Sequence, residues 1–241
     1  MIDSKQVKEC EAEVERIRKL LKAGKGRDAT SVWLRLEDMI EKQTNGINWY
    51  NILQDDSPAV AFRQWTKSRG LMSNQDFSRG SMNNRAFSRG YHRHVKFFND
   101  PLDDLMNGEV KRKLNIPSTV TWGGQSAAVF NYLSGDFMNP VVEDVELLLN
   151  STDLKVTVYS GQLDLIVDSI GTEKWVHSLK WPGMGNFVAR EKELFNGSYG
   201  APRAFVKREK NFTFYWILRA GHMVPSDADT VAIEMLKDII S

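Results

Sequence analysis

The stretch LKVTVYSGQLD (154–164) decides the architecture: a short β-branched run, a glycine turn, then an acid. Alternating β-branched and aromatic residues read as a strand, and Gly161 ends it. A helical stretch carrying Trp175, Val176 and Leu179 follows. The pattern recurs at FTFYWIL (212–218), where a second strand leads into Gly221-His222 and then a helix from Pro225 through Ile240. Strand, loop and helix, twice over, predict an α/β fold with parallel strands and crossover helices.

Open parallel sheets place functional groups just beyond the carboxyl ends of their strands. Asp164 follows the first strand and His222 the second, so neighbouring strands would bring both to one edge. A carboxylate accepting from imidazole Nδ1–H fixes the tautomer and leaves Nε2 free to take a proton. The plain alternative is a loop histidine near a helix N-terminus. Asp168 rivals Asp164 for the role, but better suits the N-cap of a helix starting near Ser169.

Working outward, Val7, Cys10, Val14, Ile17 and Leu21 recur at helical spacing and predict an amphipathic helix ended near Gly24 and Gly26. A second helix is predicted from about Asp28, with Val32, Trp33, Leu36, Met39 and Ile40 inward, broken at Thr44-Asn45-Gly46. Further helices are expected over 101–114, capped by Asn99 or Asp100, and over 137–149. Residues 66–95 differ in kind. Ser-Arg-Gly recurs at 68–70, 78–80 and 88–90 in a segment poor in aliphatics, which reads as a mobile loop. Its rival reading is a basic RNA-binding arm with Phe77 and Phe87 as stacking groups. His92 and His94 lack a nearby third ligand, so no metal site is assigned, and no cofactor is implied.

The net charge of +1 argues against nucleic acid or an anionic membrane as a general partner. No apolar run approaches the length of a membrane span. Residues 1–6 lack the apolar centre of a signal peptide. Cys10 stands alone, which excludes an intrachain disulfide and fits a reducing compartment. Against that stand sequons at Asn150, Asn196 and Asn211, acceptors only in a secretory route.

The segments VTVYSGQLDLIVDSIGTEKWVHSLKW (156–181) and YWILRAGHMVPSD (215–227) resemble the carboxyl-terminal half of the serine carboxypeptidase family, peptidase S10, and within it the retinoid-inducible group. TWGGQSAAVFNYLSGDFMNPVV (121–142) and TNGINWYNIL (44–53) share the likeness. The resemblance implies a partial α/β-hydrolase fold, divided as a helical cap-like region at 1–65, the repeat loop at 66–95 and the carboxyl-terminal hydrolase part at 96–241. It makes Asp164 and His222 the triad acid and base positions. Met223 matches a residue that shapes the pocket beside the histidine, and Val167 stands where many members carry a cysteine near the substrate. The family setting implies a secreted or lysosomal protein.

The family nucleophile lies earlier, in Gly-Glu-Ser-Tyr-Gly, and no Gly-x-Ser-x-Gly occurs in this sequence. Ser126 lacks the final glycine, and Ser198 follows Asp164 rather than preceding it. The expectation is therefore a catalytically inactive homologue with a binding, storage or regulatory role, for which a peptide or protein is the candidate ligand. Its partner would be a second copy, or a separate amino-terminal chain that supplies the serine. Met1 at a helix approach favours an independently translated protein.

Overall fold

The computed structural model describes residues 2–54, 101–123, 126–195 and 202–241. The Ser-Arg-Gly repeat, Phe77, Phe87, His92, His94, Asn196 and Ser198 lie outside them. The chain divides into two compact units: the described residues of 1–43 and 58–139 form one, and those of 44–57 and 140–241 form the other.

The first unit is helical. Helix α1, Ser4–Lys22, begins at a capping box in which Asp3 accepts from the Lys5 and Gln6 amides, while the Gln6 side chain accepts from Asp3 N–H. It stops before Gly24, whose φ of 67° is left-handed. Helix α2, Gly26–Thr44, turns its Ala29, Val32 and Leu36 stripe against Ile17, with Val14, Leu21 and Trp33 around them. Gly26 is required there, because a Cβ would lie 2.0 Å from the Gly135 carbonyl oxygen. Thr30 fastens the same crossing by donating to Ser134 O at 2.7 Å. Helix α3, Pro101–Leu105, continues through a π-helical turn, Met106–Val110, into α4, Lys111–Lys113. Ser126 caps α5, Ala127–Leu133, accepting from Val129 N.

The second unit is built on a four-stranded sheet. Helix α6, Val142–Ser151, leads to β1, Val156–Gly161. Helices α7, Ser169–His177, and α8, Met184–Ala189, precede β2, Glu193–Phe195. Strands β3, Ala204–Glu209, and β4, Phe212–Ile217, are followed by α9, Val224–Asp227, and α10, Asp229–Ile240. The order is β1-β4-β3-β2. The two strands read from sequence are parallel neighbours, in register from Val156 opposite Phe212 to Gly161 opposite Ile217. Strands β2 and β3 were not anticipated, and both pairings that involve β3 are antiparallel.

Alternation across β4 divides the core. Phe212, Phe214 and Trp216 pack with Leu149, Val176, Leu179, Trp181 and Phe187 on one face. Tyr215 and Ile217 pack with Ala204, Val206, Val224, Val231 and Met235 on the other. A strand covered on both faces reads as a continuous apolar run, which is how FTFYWI reads. The rings of Phe187 and Phe212 meet edge-on at 5.2 Å; truncating either would cost about 3–5 kcal/mol.

Two sequon asparagines use their side-chain nitrogens within the fold. Asn150 Nδ2 donates to Glu146 O at 2.7 Å and Lys180 O at 3.1 Å. Asn211 Nδ2 donates to Leu149 O and Leu154 O, both at 3.3 Å. A glycan on either nitrogen would displace these bonds.

Candidate active site

The parallel pairing of β1 with β4 sets two chain ends side by side. Beyond β1 the chain turns tightly: Gln162 N donates to Ile217 O and Leu163 N to Ala220 O, both at 2.8 Å. Gly161 allows this approach, because a Cβ there would meet the Gly221 carbonyl oxygen at 2.1 Å. The turn delivers Asp164, whose side chain is only 6% exposed. Its Oδ1 accepts from Val167 N at 3.0 Å, and its Oδ2 lies 2.9 Å from His222 Nδ1. The histidine side chain is 37% exposed. A buried carboxylate therefore holds one ring nitrogen and aims the other, Nε2, for proton exchange.

The other predicted site residues fall around this pair. Asp168 does not reach His222; its Oδ1 accepts from Gly171 N at 2.7 Å and caps α7. Val167 and Met223 are both more than half exposed. Val167 meets Asp164 through its backbone N–H rather than its side chain. Ser126 uses its hydroxyl as a helix cap. Among the described residues, no group of three or more His, Cys, Asp or Glu could hold a metal ion. A cavity of about 140 Å³ is lined by Arg203, Leu218, Arg219, Asp227 and Thr230, but by neither Asp164 nor His222.

Residues 48–52 and 227 also build the site, and sequence reasoning assigned them no role. Asn48 Oδ1 turns the segment by accepting from the Tyr50 and Asn51 amides. Trp49 O accepts from Leu165 N and Ile166 N, at 3.0 and 2.9 Å. Ile52 N donates to Leu163 O at 3.0 Å, and Tyr50 O accepts from His222 N at 2.7 Å. The Tyr50 ring lies 5.4 Å from the imidazole, tilted by 57°. Asp227 Oδ2 accepts from Gly221 N and Asn51 Nδ2. The available signals were the Asn48-x-x-Asn51 spacing, which suits an Asx turn, and an acid five residues after the histidine.

Over residues 1–241 the sequence matches the serine carboxypeptidase family, peptidase S10. The chain belongs to this family. The retinoid-inducible serine carboxypeptidase of Mus musculus is 40% identical over 241 residues, covering 98% of this chain and 50% of the relative. Its Homo sapiens counterpart is 38% identical, with the same coverage. The Arabidopsis thaliana serine carboxypeptidase-like 51 is 39% identical, covering 93% of this chain and 48% of the relative. This family member thus spans about half the length of the curated relatives it matches. The crystal structure of Kex1(Δ)p, a prohormone-processing carboxypeptidase from Saccharomyces cerevisiae, superposes with a TM-score of 0.63 at 21% identity. It covers 99% of this chain and 48% of that one, which establishes the α/β-hydrolase fold with a partial four-stranded sheet.

Proposed function

We propose that these 241 residues form a serine carboxypeptidase homologue that does not hydrolyse peptides unaided and binds a peptide or protein at the face around His222. The observation that carries this reading is a formed Asp164–His222 hydrogen bond in a sequence without Gly-x-Ser-x-Gly. In a serine hydrolase the histidine takes the serine proton as Oγ attacks the carbonyl, then returns it to the leaving amine. The buried aspartate stays ionised and stabilises the imidazolium. Without the serine of a Gly-x-Ser-x-Gly motif and the oxyanion donors that accompany it, an Asp–His pair has neither the covalent route nor the main electrostatic stabilisation.

One observation favours a second reading. The pair keeps hydrogen-bonding geometry, with the acid buried and the base open, so a chain that supplies the serine would find a working base in place. In that reading the completed protein releases carboxyl-terminal residues from peptides.

Labelling with a fluorophosphonate probe, alongside a carboxypeptidase assay, tests both. The 241-residue chain alone is expected neither to label nor to release amino acids. Co-expression with the half of the mouse relative that this chain does not match tests completion. Activity lost on His222→Ala would establish the second reading. Stoichiometric labelling of the chain alone, lost on His222→Ala, would overturn the first.

A further inference from the structure

Asp227 accepts no bond from the His222 ring, yet its carboxylate holds the backbone that carries that ring. Its Oδ2 accepts from Gly221 N at 2.8 Å and from Asn51 Nδ2 at 2.9 Å. Asn51 is buried, and its Oδ1 accepts from Leu53 N at 3.1 Å. One residue further along, His222 N donates to Tyr50 O at 2.7 Å. Contact here is close enough to demand glycine: a Cβ on Gly221 would lie 2.0 Å from Tyr50 O and 2.7 Å from Asn51 Cβ. Two consecutive amides of the histidine loop are thus tied to the 50–51 segment, one directly and one through Asp227. Asp227 is itself delivered by the single turn α9, which has proline in its first positions and a buried Val224.

The same segment also fixes the acid. Leu163, Leu165 and Ile166, on either side of Asp164, bond to the backbone of Ile52 and Trp49. Asp164 and His222 come from different strand ends, yet both take their position from residues 49–52. The distance between Oδ2 and Nδ1 is therefore set by how well this strap grips each loop. On the histidine side, the grip depends on the Asn51–Asp227 pair.

We propose that Asn51 and Asp227 are positioning residues for His222, holding the Gly221–His222 backbone so that the ring meets Asp164. Their importance for turnover rests on the second reading above, in which another chain supplies the serine; their effect on the ring does not. Both bonds end on one oxygen of Asp227, so an amide oxygen in its place can accept both, whereas two facing carboxylates offer no donor. Asp227→Ala removes the shared acceptor, and Asn51→Asp sets a carboxylate against a carboxylate. Asp227→Asn is the conservative exchange that keeps both bonds.

The test is proton NMR of the His222 Nδ1–H in the whole 241-residue chain, with far-UV circular dichroism to establish folding. The native chain is expected to show a slowly exchanging, downfield Nδ1 proton that Asp164→Asn abolishes. Asp227→Ala and Asn51→Asp should each broaden it beyond detection, and Asp227→Asn should keep it. If Asn51→Asp does not fold, Asn51→Ala gives the same reading. An unchanged proton in the folded Asp227→Ala and Asn51→Asp chains, its loss in Asp227→Asn, or no protected proton in the native chain would each overturn the proposal. In protein completed by the mouse half, Asp227→Ala and Asn51→Asp should each lower kcat about 10–100-fold, as small misplacements do, with KM nearly constant. Completed native protein without activity would sink the enzymatic reading, while the proton behaviour would still decide the positioning role.

Discussion

Asp164 and Asp238 both belong to the sheet-containing unit, and each carboxylate accepts hydrogen bonds from elements distant in sequence. Asp164 receives His222 Nδ1 and the Val167 amide, which leaves the far ring nitrogen open. Asp238, on α10, receives the Arg208 guanidinium at 2.5 Å and the Tyr215 hydroxyl, so the residues of β3 and β4 that reach it are both engaged. Arg208 closes the cluster with bonds to Tyr215 Oη at 3.2 Å and Glu193 at 3.4 Å. The titration shifts follow that saturation. Burial and the bond to Asp238 push the Tyr215 hydroxyl up to about 12. Burial works against the charge on Asp238, but the bonds from Tyr215 and Arg208 outweigh it and hold the carboxyl below its ordinary value. The shifts of Tyr215 and Asp238 thus mark a fastener of α10 to the sheet. The pair with the geometry of a general base is recognised by the atom it leaves open.

The sharpest way to break this contrast is a pair of substitutions read on two scales. If the second reading holds, in protein completed by the mouse half Asp164→Asn should cost about 10⁴-fold in kcat, because the imidazole loses its tautomer and its counter-charge. Stability should fall by only about 1 kcal/mol, or ~2–4 °C at this chain length. Asp238→Ala should do the reverse: about 2 kcal/mol of stability lost through charge-assisted bonds at a part-exposed site, with kcat unchanged. Assay and melting curves on the same preparations would show it. Equal loss of activity in both variants would mean that the two carboxylates do not differ in role.

A smaller effect lies in the pH dependence of stability. The folded carboxyl of Asp238 titrates below its unfolded value, so its contribution is present above about pH 4 and is lost as pH falls through the folded value. Glu209 adds to the same acid limb, since the Arg190 and Asn186 bonds lower it. Tyr215 has the opposite sign. Raised to about 12, it stabilises fully below about pH 10, and that contribution is lost as pH rises toward 12. Melting temperature against pH should fall at both ends. Tyr215→Phe should remove the alkaline fall while lowering the plateau by about 1.5 kcal/mol. An alkaline limb unchanged in Tyr215→Phe would place its cause elsewhere.

What could be read in advance follows the same division. Strand β4 was legible because both its faces are covered and it is apolar throughout, and β1 because of its β-branched run. The Asp164–His222 pair was legible because each residue follows one of these strands closely. Strand β3 was hidden by Lys207, Arg208 and Glu209, three consecutive charges that break the apolar pattern of a buried strand. In the fold, Lys207 donates to Val188 O, and Glu209 accepts from Arg190 at 2.7 Å and Asn186 at 3.3 Å, so two of the three charges are buried. The β3–β4 turn, Lys210-Asn211, contains no glycine, although Lys210 takes a φ of 50°. Helix α6 starts at Val142 rather than near Phe137, since Pro140 resists a helical residue before it. The strap at 49–52 left no periodic trace because its bonds, most of them from backbone atoms, reach residues more than 100 positions away.

The smallest predicted effect bears on the choice of acid. Asp168 lies four residues past Asp164 and is the same residue type, so sequence alone left it a rival. In the fold its Oδ1 accepts from Gly171 N at 2.7 Å, and a Cβ on Gly171 would come within 2.7 Å of its Oδ2, so the carboxylate is packed against the first turn of α7. That is helix capping, and its loss costs about 1 kcal/mol. Asp168→Ala should therefore lower the melting temperature by ~2–4 °C and leave the His222 Nδ1 proton in place. The two carboxylates also differ in burial around their acceptors, Asp164 enclosed and Asp168 exposed. Substituting the exposed acid removes one amide's partner, whereas substituting the enclosed one removes the imidazole's only charged neighbour within hydrogen-bonding distance among the described residues. If Asp168→Ala erased the Nδ1 proton and Asp164→Asn spared it, the assignment of the acid would reverse.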